Sequence, residues 1–477
     1  MSTADQAFDA TTNSVPTRDN VAVENEDKLN QPGVTSNQAH DVPHKSIPTG
    51  DEDELDNSDA VSDTSTLEWD HESFETFQHR VLELALTLWD GTKASDIEVT
   101  RLAGGGYNRI IGITKIMTEQ QQSLQPGILK RLWTFMTNWA AKMRSETIQT
   151  ARLEYILRIP RMDAARLDQY VAALHYVQNL GGIPVPDIVA FDETTNNRLG
   201  IRYMVQNRLP GTDLLKTFPD LDHNQKFRVA VELGQVFRTM LSTKSAVAGR
   251  LVLPRTVRSS KSSVYEASVE PLFQPDLPTI VQIKPNLAIK DLLSGIFQER
   301  EAQLFREHGS KCKSWSHNDR FIAMTSELDA EGWFASKDIS ICHLDFEPRN
   351  ILVDITKNSP QPIVSAILDW DSAALAPSFM SCRPPLWIWA WAEDEDEDER
   401  TANDEPPTEE GRILKQAFEQ AAGPEFIRYA YPSAYRLARR LVQFAMDGIT
   451  FSQDFRDADA MLEEWAELRK SSVTVDT

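Results

Sequence analysis

One carboxylate-rich segment constrains this chain more than any other part of its sequence, because apolar runs there end repeatedly on acidic and amide side chains. The stretch ISICHLDFEPRNILVD holds His343, Asp345 and Asn350 in an H-x-D-x-x-x-x-N pattern between two apolar runs. A third apolar run, IVSAILDWD, ends on Asp369 and Asp371. The pattern predicts short strands that bracket an exposed loop. Asp and Asn also cap turns where strands meet loops, so each residue taken singly retains a purely structural alternative.

The combination of these side chains fits the chemistry of phosphoryl transfer. That reaction needs a carboxylate to orient or deprotonate the attacking hydroxyl, and oxygen ligands to hold magnesium on nucleotide phosphates. Asp345 suits the first role, with His343 supporting the same catalytic loop by hydrogen bonding. Asn350 and Asp369 suit the second role, and Asp371 would add an outer-sphere contact. The predicted cofactors are therefore ATP and Mg²⁺.

Bulk composition excludes several other classes. The chain has 477 residues, enough for more than one hydrophobic core. Its formal net charge of −23 would repel phosphate backbones, so we expect no nucleic-acid partner. The N-terminal sequence lacks the basic and apolar regions of a signal peptide, and no apolar run approaches membrane-spanning length, so we expect a cytoplasmic protein with no membrane partner. Cys312, Cys342 and Cys382 lack zinc-ligand spacing and are predicted to be reduced thiols.

The chain divides into three regions by composition and periodicity. Residues 1–67 are predicted to be a disordered acidic and polar tail. Residues 68–208 are predicted to form a small lobe with nucleotide-binding elements, interrupted by a helical segment near 117–150. Residues 209–475 are predicted to form a larger helical lobe with the catalytic and metal-binding loops. This lobe contains a low-complexity acidic loop at 393–410.

Local patterns predict the main elements of these regions. Apolar residues at helical spacing indicate helices, β-rich runs indicate strands, and a glycine cluster between two such runs indicates a hairpin turn. The predicted elements are a helix near 67–88, a turn at 104–106, a strand at 155–159, a helix at 164–180, two strands within IPVPDIVAFDE and IRYMVQNRLPG, and a helical run at 434–469.

Several motifs together resemble the aminoglycoside phosphotransferase and choline kinase-like superfamily, and within it the fungal phosphotransferase family enzymes. They are HLDFEPRNILVD, ILDW, GGGYNRIIGI, YILRIPR, and IPVPDIVAFD with MVQNRLPGTDL, spanning about 98–380 in the family's order. The resemblance implies an α+β, protein-kinase-like two-lobed fold: a mainly β small lobe with an inserted helical segment and a larger, mostly helical lobe. It implies Asp345 as catalytic base, and Asn350 and Asp369 as magnesium ligands.

The resemblance also implies nucleotide contacts from the small lobe. The glycine cluster lacks G-x-G-x-x-G spacing, so a plain hairpin turn is its alternative. Arg158 stands where a kinase-type lysine would contact the α and β phosphates, and a surface arginine on a strand is its alternative. The residues assigned to cofactor binding are Gly104, Gly105, Gly106, Tyr107, Asn108, Arg158, Gln206 and Arg208.

The acidic residue that usually pairs with the phosphate-binding cation is missing from its expected place. Tyr170 falls near that position, with Asp168 close by and Asp163 more remote. This departure leaves open a second class of function, a non-catalytic kinase-like protein that binds a nucleotide or a partner.

The expected partner is a hydroxylated small molecule. The stretch PPLWIWAWA precedes the acidic loop, and an aromatic patch beside dense negative charge would attract a cationic substrate. A solvated loop and core tryptophans are the alternatives. Hydrolase, zinc-protease and P-loop motifs are missing from the sequence. The motifs identify neither the acceptor nor the oligomeric state, because acceptor pockets are built outside them.

Overall fold

The computed structural model describes residues 72–102, 108–117, 151–161, 166–260, 266–275, 283–308, 313–358, 360–392 and 397–475. Several predictions lie outside these residues: the tail at 1–67, most of the helical segment at 117–150, the glycine turn with Tyr107, Asp163, Cys312, and the acidic loop at 393–396. No helix among the described residues is long and apolar enough to cross a membrane.

The described residues contain both strands and helices. The strands are Ile97–Arg101 (β1), Asn108–Met117 (β2), Ala151–Pro160 (β3), Ile188–Asp192 (β4), Tyr203–Asn207 (β5), Thr212–Asp213 (β6), Lys244–Ser245 (β7), Gly249–Val252 (β8), Ser259–Ser260 (β9), Ser268–Glu270 (β10), Ile339–Cys342 (β11), Ile351–Val353 (β12), Val364–Ile367 (β13) and Ala374–Pro377 (β14). The α-helices are Phe74–Leu88 (α1), Leu167–Leu180 (α2), Leu214–Thr217 (α3), His223–Ser242 (α4), Ile289–His308 (α5), Lys313–Ala330 (α6), Glu409–Ala422 (α7), Pro424–Ala430 (α8), Ser433–Asp447 (α9) and Ser452–Val475 (α10).

The smaller lobe is an antiparallel sheet with helix α1 packed against it. Six strands follow the order β1-β2-β3-β5-β4-β9. Helix α1 buries Phe77, Val81 and Leu84, which share one face because they recur at helical spacing. They join a core that includes Ile111 of β2 and Leu157 of β3. The predicted helix near 67–88 and the predicted strand at 155–159 are thereby confirmed, although β3 is longer than predicted.

The larger lobe is built mainly from helices around an aromatic core. Helix α4 begins with a capping box in which Asp222 and Gln225 bond each other's backbone amides, which satisfies two otherwise unpaired donors. Phe237 on α4 makes edge contacts with Phe418 of α7 and Phe426 of α8, at ring distances of 5.3 and 5.4 Å. These contacts fix the helices that lie behind the carboxylate-rich segment.

Two small sheets in this lobe place the carboxylate-rich segment. One has the order β10-β8-β14-β11-β7 and the other β13-β12-β6. Strand β11 ends immediately before His343, and β12 begins immediately after Asn350. Strand β13 ends two residues before Asp369. The predicted arrangement, short strands bracketing a loop, is confirmed.

The end of the chain departs from its prediction. The continuous helical run predicted for 434–469 is wrong, since the structure contains two helices, α9 and α10, separated by a short connection. Gly448 has φ of 81° directly after α9, a conformation that ends a helix and that glycine adopts without a Cβ penalty. Periodicity alone did not reveal this break, because both helices are amphipathic.

Gly211, which precedes β6, should resist substitution. Its φ is 123°, and a Cβ there would lie 2.7 Å from the Val353 carbonyl oxygen and 2.6 Å from Ser365 Oγ. Gly211→Ala should therefore destabilise the fold by about 1–3 kcal/mol. Gly295→Ala is the matched control, because a Cβ there meets nothing within 4 Å. The control lies within α5 and should stabilise by about 0.5–1 kcal/mol. Urea unfolding measures both, and equal midpoints would contradict the expectation.

Candidate active site

His343 joins the loop after β11 to the loop after β13. Its Nδ1 accepts a hydrogen bond from the Asp345 backbone N–H at 3.3 Å, so Nε2 carries the proton and donates to the Leu368 carbonyl at 2.8 Å. The ring is buried and packs edge-on against Trp370 with centroids 4.6 Å apart. Burial lowers the pKa of His343, which favours this neutral form. These contacts are those of a residue that holds two loops in register.

Asp345 is held at both carboxylate oxygens. Oδ1 accepts from Arg349 Nη2 at 2.6 Å, and Oδ2 accepts from Asn350 Nδ2 at 2.9 Å. The same Asn350 amide donates to the Asp345 backbone carbonyl at 3.0 Å. Because Asn350 uses its nitrogen in both bonds, its side-chain oxygen is the atom left for a metal ion. About a third of the Asp345 side chain remains exposed.

Asp369 begins the turn after β13, which forms the second part of the site. Its φ of 62° lies in the left-handed region, and the chain then turns through a short 3-10 helix at Trp370–Ser372. Trp370 is fully buried and donates from Nε1 to the Ile367 carbonyl at 3.1 Å, which anchors the turn. Asp371 lies on the same side, and burial together with the charge of Asp369 raises its pKa.

Arg158 forms the opposite wall. It lies on β3, its side chain is only 13% exposed, and its Nη2 donates to Asp369 Oδ1 at 2.5 Å. Asp371 Oδ2 lies 3.5 Å from the same nitrogen. With the Asn108 amide oriented so that its oxygen faces the guanidinium, that oxygen accepts from Nη2 and Nε at 2.9 and 3.2 Å. The guanidinium carbon lies 4.2 Å from the centre of the Tyr170 ring.

The structure therefore brings together some of the predicted site residues and separates others. Arg158 and Asn108 of the smaller lobe meet Asp369 and Asp371 of the larger one, across 211 residues of chain between Arg158 and Asp369. The alternative of a plain surface arginine at 158 does not hold, because the side chain is largely buried and pairs with Asp369.

Two further predicted cofactor residues have other surroundings. Gln206 is buried on β5, behind the Tyr170 hydroxyl, whose oxygen lies 3.5 Å from Oε1. Arg208 lies on the exposed surface, where Nη1 is 3.5 Å from Glu154 Oε2, and no contact among the described residues joins it to Arg158. The structure thus does not bring Arg208 to the cluster, because its guanidinium lies beside Glu154 of β3.

Two residues of the cluster were missed or misread from sequence. Arg349 clamps Asp345, and its spacing of four residues was no signal, because that spacing brings side chains together on a helix and this segment is a loop. Tyr170 was recognised only as the place where an acid is missing. Its aromatic ring proves to be the contact, since Arg158 stacks above it. Asp168 instead pairs with Arg166 at 2.8 Å, so it does not act as a substitute partner for Arg158.

The oxygen donors of the cluster suit a magnesium ion that is also bound by phosphates and water, and they are too few to hold a metal ion without such ligands. Within the described ranges, no group of three or more His, Cys, Asp or Glu side chains is arranged to hold a metal ion. Magnesium, however, is usually held by one or two protein oxygens together with phosphates and water. The Asp369 carboxylate and the Asn350 side-chain oxygen are donors of that kind.

A cavity of about 550 Å³ lies beside Asp345. Its wall includes Glu347 and Glu397, which both pair with Arg383, at 3.1 and 3.5 Å. Glu399 also lines the cavity and pairs with Arg439. Acidic residues from the predicted loop at 393–410 thus reach the cavity, but arginines already neutralise them.

The tryptophans before the acidic loop pack into the core. Trp387 makes an edge contact with Phe218 at 5.8 Å, and Trp391 stacks on the same ring at 5.1 Å. Trp387 is buried. The tryptophans of PPLWIWAWA are therefore core residues, which was the alternative to an exposed aromatic patch. They give no reason to expect a cationic substrate.

Glu397 should make the fold less stable as the pH rises. Burial raises the pKa of this carboxyl from its ordinary value of 4.5 to about 7, despite hydrogen bonding to the Trp387 backbone N–H and the nearby Arg383. The folded state therefore binds the proton more tightly than the unfolded state. Between pH 4.5 and 7 the free energy of unfolding should fall by at most about 1.4 kcal/mol per pH unit. Glu397→Gln should flatten this slope in urea unfolding, and an unchanged slope would contradict the assignment.

Comparison with known proteins identifies a family for about half of the chain. The sequence pattern of the phosphotransferase enzyme family matches residues 144–380, about half of the chain. Comparison with curated proteins finds no match. Solved structures with a similar chain course include a thermostable mutant of aminoglycoside phosphotransferase APH(4)-Ia with ADP and hygromycin B, at 13% identity and a TM-score of 0.40, covering 82% of this chain and 98% of that one.

A second solved structure of this kind is the GDP complex of wild-type aminoglycoside 2'-phosphotransferase-IIIa. It is 14% identical with a TM-score of 0.39 and covers 81% of this chain and 97% of its own. Identities and TM-scores this low say nothing about the substrate. The family match spans Arg158 through Asp371, which includes every residue of the cluster except Asn108. Residues 144–380 belong to the phosphotransferase enzyme family, and the chain has the two-lobed, kinase-like α+β fold that its sequence predicts.

Proposed function

We propose that this protein transfers the γ-phosphoryl group of ATP to a hydroxyl of a small molecule in a magnesium-dependent reaction. The observation that carries the proposal is the meeting of Asp369 and Arg158 across one cleft, with Asp345 and Asn350 on the adjoining loop. Phosphoryl transfer depends mainly on positioning and electrostatic stabilisation, and a cluster of this composition can provide both.

Asp345 is proposed as the catalytic base. Arg349 and Asn350 fix the orientation of its carboxylate, and the cavity beside it has the volume of a small-molecule site. An acceptor hydroxyl within hydrogen-bond distance of the carboxylate would be oriented for attack and would give up its proton as the new P–O bond forms. His343 holds the loop and takes no part in the proton transfer.

Asp369 and the Asn350 side-chain oxygen are proposed to hold the metal, with Asp371 as an outer contact. Magnesium, when bound, supplies positive charge to the phosphate oxygens as charge shifts toward the leaving group. Arg158 would add a guanidinium to the α and β phosphates, because its planar donors match phosphate geometry. Asn108 would help to fix that guanidinium.

A non-catalytic nucleotide-binding protein is the second candidate, and one observation favours it. The Arg158 guanidinium directly contacts the carboxylate proposed to bind magnesium. A permanent ion pair there would reduce the affinity of the site for a cation, and a nucleotide could then bind without metal. Metal dependence of binding therefore separates the two candidates.

The deciding experiment measures nucleotide binding and transfer on the full chain. Calorimetry with ATP, with and without magnesium, tests the site. A panel of hydroxylated metabolites and amino sugars with γ-labelled ATP tests the reaction. Magnesium-dependent binding and label transfer to one acceptor class would support the kinase. Failure to bind at millimolar ATP would contradict both candidates, and equal binding without magnesium would favour the second.

A further inference from the structure

We propose that Tyr170 is a positioning residue that holds the face of the Arg158 guanidinium, so that the edge of this cation is left for nucleotide phosphate. The inference rests on the proposed function, since it concerns how the same site holds ATP. It assigns to an aromatic ring the role for which protein kinases use a glutamate carboxylate.

The contact between the two side chains is close and enclosed. The guanidinium carbon of Arg158 lies 4.2 Å from the centre of the Tyr170 ring, well inside the range of cation–π attraction. Tyr170 is 3% exposed and Arg158 is 13% exposed in its side chain, so little water weakens the attraction. Helix α2 carries the tyrosine and β3 carries the arginine, so the contact also joins the helix to the sheet.

The tyrosine is uncharged in this position. Burial raises the pKa of its hydroxyl to about 12, and that hydroxyl lies 3.5 Å from Gln206 Oε1. The ring therefore acts through its face and carries no phenolate charge. A further anion at position 170 is unnecessary, because Asp369 and Asp371 already balance the charge of Arg158.

The geometry of the guanidinium explains why a ring serves it better than a carboxylate. All five N–H donors of arginine lie in one plane, and a ring beneath that plane occupies fewer of them than a bidentate carboxylate would. Nη2 donates to Asp369, and Nη2 and Nε face the Asn108 oxygen. Nη1 takes part in neither of these contacts, and the Tyr170 hydroxyl also interacts with the guanidinium. A carboxylate at position 170 would compete with phosphate for these donors.

The same argument predicts that residues 158 and 170 are matched to each other. A lysine ammonium is a compact point charge with no plane to stack, so Arg158→Lys should lose the contact with Tyr170. Tyr170→Glu should place a third carboxylate near Asp369 and Asp371 and should repel phosphate. Combining Arg158→Lys with Tyr170→Glu recreates a lysine–glutamate pair and should recover part of the loss.

The experiment compares shape-matched variants by calorimetry with magnesium and a non-hydrolysable ATP analogue. Tyr170→Phe keeps the ring and should bind within about threefold of the parent chain. Tyr170→Met keeps an apolar side chain without a π face and should bind at least about tenfold more weakly, as expected for a desolvated cation–π contact. In steady-state assays the loss should appear in KM for ATP, and KM for the acceptor should remain unchanged.

A second series guards against loss of folding. Phenylalanine and its ring-fluorinated analogues, incorporated at position 170, change the charge on the ring face with little change of shape. Affinity for the analogue should fall stepwise with fluorination, and each variant should remain folded and unfold cooperatively without nucleotide. Equal affinity across this series, or equal binding by the Phe and Met variants, would overturn the role of Tyr170. A parent chain that binds no magnesium nucleotide would instead contradict the proposed function itself.

Discussion

Asp345→Asn should abolish most phosphoryl transfer and leave nucleotide binding nearly intact. The amide keeps the size of the carboxylate but accepts protons poorly, and loss of a general base costs about 10²–10⁴-fold in rate. The new amide also faces two donor groups, on Arg349 and Asn350. Its NH₂ group cannot accept from either of them, so one of the two hydrogen bonds is lost. Single-turnover transfer of γ-label measures the rate, and calorimetry measures ATP affinity.

The matched control for this prediction is Asp354→Asn. Asp354 also follows a strand, but its Oδ1 accepts hydrogen bonds from the Thr356 backbone N–H at 3.1 Å and from Thr356 Oγ1 at 2.6 Å, outside the cluster. This substitution should leave transfer unchanged. If Asp345→Asn transferred phosphate at the parent rate, Asp345 would not be the base, whatever the affinity for ATP.

Asp369→Ala should remove the magnesium dependence of nucleotide binding. It deletes the carboxylate proposed as the main metal ligand and frees Arg158 at the same time. We expect affinity for magnesium–ATP to fall by at least about 100-fold, since even residues that only orient metal ligands contribute 10–100-fold. Titrations of ATP at fixed magnesium, and of magnesium at fixed ATP, measure the two dependences.

Two companion variants sharpen the second prediction. Asp369→Asn removes the negative charge but keeps an oxygen that can accept a hydrogen bond from Arg158, so it separates loss of the charge from loss of the whole side chain. Asp338→Ala removes an exposed carboxylate whose Oδ2 lies 3.6 Å from Lys244 Nζ, and it should change neither titration. Stronger ATP binding by Asp369→Ala without metal would favour the non-catalytic candidate, because Arg158 would then be free to bind phosphate alone.

The sequence predicted the loop around Asp345 well because the signals there are local. His343, Asp345 and Asn350 lie within eight residues, and the flanking apolar runs are short strands. The same holds for α1 and β3, whose periods are visible without knowing their neighbours. Local sequence thus predicted the part of the site that one segment builds.

The opposite wall could not be predicted in the same way. The bond between Arg158 and Asp369 joins residues 211 positions apart, and nothing near either one reveals the partner. The same limit applies to Tyr170. A carboxylate was expected at this position, so the contact of an aromatic ring with Arg158 was not predicted. Arg208 was assigned to cofactor binding with the motif that carries the resemblance, and its side chain lies beside Glu154 instead.

Residues 344 and 369 both have a left-handed backbone, which lowers the stability of the fold, but only residue 369 has a side chain that the proposed reaction needs. Leu344 has φ of 65° and Asp369 has φ of 62°, conformations that cost a non-glycine residue about 1–3 kcal/mol each. Selection of variants for heat resistance alone would favour glycine at both positions. At residue 344 that change removes only a partly buried apolar side chain, whereas at residue 369 it removes the carboxylate on which the proposed reaction depends. Thermal selection and functional selection therefore diverge most sharply at residue 369.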